Sequence, residues 1–212
     1  MTAQILDFQT QKAKAPTPVN GNVPPKRVTN LERRPREHLS PHEVESLIEA
    51  ARKVGRHQHR DGTMILIAYR HGLRVSELIA LKWSQVDLKQ GILHVTRSKN
   101  GTPATHPLRG PEIRALRRLK REYPDSSYLF TTERKGPITA ATVRKIILRA
   151  GEKAGLEFPC HPHQLRHSCG FYLASKGVDT RAIQQYLGHR SISNTTQYTA
   201  LSPNRFDGFW SD

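Results

Sequence analysis

The chain has 212 residues, 36% of them hydrophobic, and carries 34 Lys plus Arg against 18 Asp plus Glu, a formal net charge of +16. That length suits one domain of ordinary size, or one domain plus a tail, and no run of about 18 apolar residues is present to span a membrane. Cys160 and Cys169 are too few for a disulfide scaffold. With no secretory signal in MTAQILDFQTQKAK, they point to reduced thiols in a cytoplasm. So basic a chain is attracted to polyanions by counterion release, nucleic acid first and an anionic membrane or ribosomal surface as the alternative.

Residues 1–37, with APTPVNGNVPPKR and ERRPRE, lack hydrophobic periodicity and read as a disordered or extended basic arm. Folded structure is expected from Ser40, where Ser-Pro-His-Glu is a capping box followed by Val44, Leu47, Ile48 and Ala51 at helical spacing. Met64 to Tyr69 reads as a buried helix that His71-Gly72 breaks. Val75 to Leu81 then restarts a short helix with Arg74 at its beginning.

Gly91 to Arg97 alternates like a strand. Ser98-Lys99-Asn100-Gly101 carries an Asn-Gly turn signal, and Thr102 to Leu108 is the return strand, placing Lys99 on a hairpin tip. Pro111 to Glu122 predicts an amphipathic helix with a cationic face, Ser127 to Thr131 a short strand, and Ala140 to Ala154 another basic helix. The last third predicts three short helices. Pro162 stands at a first helical position, so His163 and Arg166 lie one turn apart on one face. Asp179 or Thr180 caps the next helix and Gly188 ends it. Ser191 begins the last, with Tyr198 near its end. Phe206, Phe209 and Trp210 in the tail suit docking on a core.

Singly, a backbone-bonded histidine, an arginine at a core edge and a helical tyrosine are ordinary structural residues. Their combination is not: Arg74 within GLRVSEL, Lys99 on a hairpin, His163-x-x-Arg166, Leu-Gly-His189, then Tyr198. This order resembles the tyrosine recombinase (phage integrase) family, whose signature is Arg, Lys, His-x-x-Arg, His or Trp, and Tyr. HQLRHS fits the family's His-x-Leu-Arg-His box, and LGHRSISNTTQYT fits its Leu-Gly-His-x-Ser-Ile-x-x-Thr-x-x-Tyr box. The resemblance covers residue 38 to the end. HPHQLRHSCGFYLA, GVDTRAIQQYLGHR, and YTA followed by RF and GFW are most similar to the short fimbrial phase-variation recombinases. Those are DNA invertases that lack most of the usual extra N-terminal domain, and residues 1–37 here cannot form a helical core-binding domain.

The resemblance implies a mainly α fold with a small antiparallel β-sheet, spanning 38–212, that cleaves and rejoins DNA through a 3'-phosphotyrosyl intermediate and inverts a DNA segment. Arg74 and Arg166 would fork the non-bridging oxygens, where extra charge develops in flight. Tyr198 would be the nucleophile, His163 its base or a charge stabiliser, and His189 a hydrogen bond to the phosphate. Lys99 would protonate the departing 5'-hydroxyl, and Glu77 would orient Arg74. Neither cofactor, metal nor ATP is implied. The implied partners are double-stranded DNA with inverted-repeat sites and three further copies of the chain in a tetramer, with room for DNA-bending accessory proteins. No membrane is implied, and the place is the cytoplasm at the nucleoid. The rivals are a catalytically weak DNA-binding regulator of the same fold and a type IB topoisomerase. A zinc site built from Cys160, His161, His163, His167 and Cys169 is a third, although no Glu follows His163 and no Cys-x-x-Cys is present.

Overall fold

The structure is a computed structural model that describes residues 36–97 and 102–200. Its first helix, α1 (Pro41–Ala51), opens as the sequence predicts. The Ser40 N–H donates to Glu43 Oε2 at 2.7 Å and the Ser40 hydroxyl accepts from the Glu43 N–H at 3.3 Å. This closure supplies partners to backbone groups that a helix start leaves without one. Val44, Leu47, Ile48 and Ala51 are buried on one face. Arg36, just upstream, bonds both oxygens of Glu43, at 2.6 and 2.7 Å.

Helix α2 (Gln58–Arg70) is buried on every side from Arg60 to Ala68, as expected of a helix that runs through the middle of a fold. The charge it carries inside is neutralised, with Arg60 2.7 Å from Asp61 and donating to the Thr131 carbonyl. Gly72 ends this segment at φ +55°. A Cβ there would lie 2.3 Å from Leu187, so both the turn and the packing exclude a side chain. Helix α3 (Val75–Ala80) follows at once.

Three short strands, β1 (Val86–Asp87), β2 (Ile92–Val95) and β3 (Ala104–Pro107), form an antiparallel sheet in the order β1-β2-β3. Leu93 and Val95 are buried while His94 is exposed, the period-2 pattern read from the sequence. Helix α4 (Gly110–Glu122) buries Ala115, Leu116 and Leu119 and turns its arginines outward. The strand expected over Ser127–Thr131 is reduced to isolated bridges, Lys82 to Tyr128 and Thr131 to Pro137. The Ser126 hydroxyl bonds both the N–H and the carbonyl of Tyr128, which turns the chain away from continuous pairing.

Helices α5 (Ala140–Lys153), α6 (Pro162–Ser175), α7 (Thr180–Leu187) and α8 (Ser193–Ala200) complete the described fold. Asp179 caps α7 through the amides of Arg181 and Ala182. Helix α8 starts two residues later than expected because the Ser191 hydroxyl accepts from the Ser193 N–H in a turn of its own. Two apolar clusters result. The larger joins α1 to α5 with the sheet, and the smaller gathers Cys169, Ala174, Ile183, Leu187 and Tyr198 from the last three helices.

Candidate active site

Arg74 occupies the residue before α3, in an extended conformation that throws its side chain off the helix start. Glu77, one turn on, returns both oxygens to it: Oε2 accepts from the Arg74 N–H at 2.9 Å and Oε1 from the guanidinium at 2.7 Å. The carboxylate is 1% exposed and the Arg74 side chain 28%, so one edge of the guanidinium stays open to a ligand. Burial alone would raise the Glu77 pKa. The bonds from Arg74 and the nearby Arg97 guanidinium more than offset this and hold it below the usual carboxylate range.

Arg166 reaches from α6 into the seam between the two clusters and is 1% exposed. Its guanidinium donates to the Gly72 carbonyl, and from Nη2 to the Leu187 carbonyl at 2.7 Å. Burial and the facing charges of Arg74 and Arg97 push its pKa down to about 10, which still leaves it cationic at neutral pH. His189 follows Gly188, whose φ of +65° closes α7 in the left-handed region. His189 Nδ1 lies 2.9 Å from the Thr195 hydroxyl. Burial, then Arg166, Arg74 and Arg97, lower its pKa to about 3, so the imidazole is neutral.

Tyr198 projects from α8 into the smaller cluster and is 1% exposed. Its hydroxyl is 3.1 Å from His167 Nδ1. Its ring meets Phe171 edge-on at 5.1 Å and stacks over His189 at 6.2 Å. Gly170 makes room for it, since a Cβ there would come within 2.6 Å of the ring. Burial pushes the phenol up to about 12, against the pull of Arg166. His167 is lowered to about 4 by burial and then by His163 and Arg166, so it faces the phenol as a neutral ring. His163 stands exposed in the first turn of α6, its ring 4.3 Å from that of His167.

The structure thus gathers Arg74, Glu77, Arg166, His189 and Tyr198 around one region, with His163 at its rim. Lys99 lies outside the described residues, as do the arm over 1–35 and the aromatic tail. Arg97 reads in the sequence as the end of a strand and Thr195 as one position of a motif, while His167 stands in the His-x-Leu-Arg-His box and among the ligands of the rival zinc site, not as the partner of the phenol. Its place four residues after His163, one further turn along α6, was the available signal. Among the described residues no three His, Cys, Asp or Glu side chains converge as a metal site. Cys169 instead lies inside the smaller cluster, its thiol pushed up to about 12 by burial.

The electrostatic balance defines what this region takes. Arg74, Arg97 and Arg166 act on one another's surroundings. Among the described residues the carboxylate bonded within this trio is that of Glu77. An excess of fixed cations beside neutral imidazoles and a protonated phenol suits a phosphate diester.

The chain belongs to the phage integrase family, whose model matches residues 37–205, and its described domain has the fold of a tyrosine recombinase catalytic domain. It is similar to the type 1 fimbriae regulatory protein FimB of Escherichia coli K12, at 42% identity over 82% of this chain and 90% of the relative. FimE of the same organism is 40% identical over 82% of this chain and 91% of its own. Among solved structures it resembles the XerA recombinase, with a TM-score of 0.70 and 32% identity over 80% of this chain and 62% of that one. It also resembles XerH bound to its difH substrate, with a TM-score of 0.66 and 26% identity over 77% of this chain and 50% of that one. The chain therefore spans about half to three-fifths of these solved recombinases.

Proposed function

We propose that this protein is a site-specific DNA recombinase that cleaves and rejoins DNA through Tyr198 and inverts a DNA segment flanked by inverted repeats. Arg74 and Arg166 hold the non-bridging oxygens of the scissile phosphate, and His189 adds a hydrogen bond. The Tyr198 oxygen attacks phosphorus and its proton passes to a histidine, His163 or the adjoining His167. The bond from phosphorus to the 5'-oxygen breaks, and Lys99 supplies the proton that oxygen takes. The product is a 3'-phosphotyrosyl enzyme with a free 5'-hydroxyl, and attack by a partner strand's 5'-hydroxyl reverses the step. Residues 38–212 carry this chemistry, and four protomers work on two sites.

The observation that supports this reading most is the cluster of guanidiniums beside a tyrosine, Arg97 and Arg166 buried and Arg74 partly open, with the Glu77 carboxylate among them. The similarity to FimB and FimE supports inversion at a fimbrial switch as the setting.

The test is covalent trapping on nicked duplexes made from inverted repeats near the gene, with chelator present. Wild type is expected to give a protease-sensitive shifted band on a denaturing gel, and Tyr198→Phe none, with DNA binding retained. A covalent band from Tyr198→Phe removes Tyr198 as the nucleophile. DNA binding with no band on any repeat makes the chain a regulator that only binds.

A further inference from the structure

Arg97 occupies the root of the hairpin, two residues before Lys99, and its side chain is 0% exposed. Its guanidinium spans four segments of the chain. Nη1 donates to Glu77 Oε2 at 3.0 Å, the oxygen that also accepts the Arg74 backbone N–H. Nη2 donates to the Tyr186 carbonyl in the last turn of α7, three residues before His189. It also lies 3.5 Å from the His71 carbonyl and 3.4 Å from His106 Nε2. Its aliphatic stem lies against Gly188, where a Cβ would come within 2.8 Å.

Behind Arg97 runs a buried polar chain. His106 Nδ1 faces His71 Nδ1 at 3.1 Å, and His71 Nε2 faces Glu112 Oε1 at 2.8 Å. The Arg97 Nη2 contact makes His106 Nε2 the acceptor, so the His106 proton sits on Nδ1, facing His71. The Tyr186 ring stacks on His106 at 3.8 Å and walls this chain in. A hydrophobic residue would fill the same space without desolvating a charge. A cation here has work to do that packing does not require.

We propose that Arg97 is a positioning residue for strand cleavage: through Glu77 it sets the plane of the Arg74 guanidinium, and through Tyr186 it fixes the turn that carries His189. This rests on the proposed roles of Arg74 and His189. Without Arg97, Glu77 Oε2 loses a guanidinium donor, and the carboxylate that orients Arg74 is less restrained. Held from the far side by Arg97, it presents Arg74 to the phosphate in one orientation, so less ordering remains when DNA docks.

The experiment measures single-turnover covalent trapping at saturating nicked DNA, with DNA affinity and thermal melting in parallel, for wild type, Arg97→Met and Arg97→Lys. Arg97→Met is expected to bind DNA within about threefold of wild type and to cleave ~10–100-fold more slowly, by analogy with the range found for residues that orient metal ligands. The loss should shrink in a Glu77→Gln background, because both changes release Arg74. It should also shrink on a duplex with a methylphosphonate at the scissile position, which lacks the charge Arg74 meets. An equal loss on phosphate and methylphosphonate makes Arg97 merely structural. A loss that disappears instead on a 5'-bridging phosphorothioate, whose leaving group needs no proton, places its effect on the Lys99 hairpin and overturns the proposal. Should Arg97→Met melt below the assay temperature, Arg97→Lys, which keeps the charge without the fork, is read in the same way. Wild type that forms no covalent complex defeats the recombinase reading itself. Wild type that does so alongside an equally fast Arg97→Met defeats only the role of Arg97.

Discussion

The Tyr198 hydroxyl is held 3.1 Å from His167 Nδ1, inside a cluster that leaves the residue 1% exposed. The phenol, pushed up to about 12 by burial, is therefore stored as a protonated group beside a neutral imidazole. On the proposed mechanism, storage of this kind protects the nucleophile between encounters with DNA and makes its release part of the reaction.

His167 should also make the domain sensitive to acid. Its folded pKa of about 4 lies below the ordinary histidine value of about 6.5. Between these values the unfolded chain takes up a proton that the folded one refuses. Stability is then complete above about 6.5 and falls as the pH drops toward about 4. His189 and His106, both lowered to about 3, act in the same direction. The melting temperature should be lower at pH 5 than at pH 7.5, and His167→Asn should narrow that gap. An unchanged gap in the variant means that His167 is not excluded from protonation.

Gly170→Ala tests how Tyr198 is seated. The added methyl would meet three ring carbons at 2.6, 2.7 and 2.8 Å, on a helix face with no slack. Overpacking of this kind costs about 1–3 kcal/mol. The lower melting temperature should come with a cleavage rate at least ~10-fold down and DNA affinity unchanged, since a shift of about 1 Å in a reacting group is costly. Wild-type cleavage by this variant means that the buried position of Tyr198 is not on the route to reaction.

Arg166→Lys keeps the charge but loses the fork. One ammonium on a flexible stem does not reproduce donation to both the Gly72 and Leu187 carbonyls. A buried acceptor left without its donor costs about 1–3 kcal/mol. Denaturant titration should show that loss, together with a fall in cleavage. A variant as stable as wild type means that the Arg166 bonds contribute little to folding.

The excess of cations around Arg74 predicts that a small anion stabilises the free protein. Sulfate at about ten times its dissociation constant should add about 1.4 kcal/mol by mass action. The rise in melting temperature over that in chloride of equal ionic strength should vanish in Arg74→Gln. A rise of the same size in the variant would come from general salt effects on burial.

What the sequence made legible was local. The Ser40 capping box, the helix-starting Pro162, the Asp179 cap and the left-handed Gly188 all act within a few residues, and each appears where spacing put it. The ordered set from Arg74 to Tyr198 was legible as a motif. What was hidden depends on contacts between distant segments. Arg97 meets Glu77 across 20 positions and Tyr186 across 89, and its neighbours in sequence give no hint of either. His106 read as one residue of a short return strand, yet it is buried because Tyr186 lies across it. Periodicity showed that Ser127–Thr131 is extended. It did not show that Ser126 would interrupt the pairing.

Helix α8 has eight residues, and of these only Thr195 and Tyr198 are buried. Thr195 bonds the ring of His189 and Tyr198 bonds that of His167, so each anchor ends on a histidine of the site. The Thr199 hydroxyl adds one tie, accepting from Thr180 at 3.2 Å, and with so few anchors α8 should be able to lift away while the larger cluster stays folded. Its amides should exchange with solvent well ahead of those in α6. On the proposed mechanism the attacking group thus travels on its own detachable carrier, and the number of anchors that carrier has sets how readily the protein becomes competent to cut.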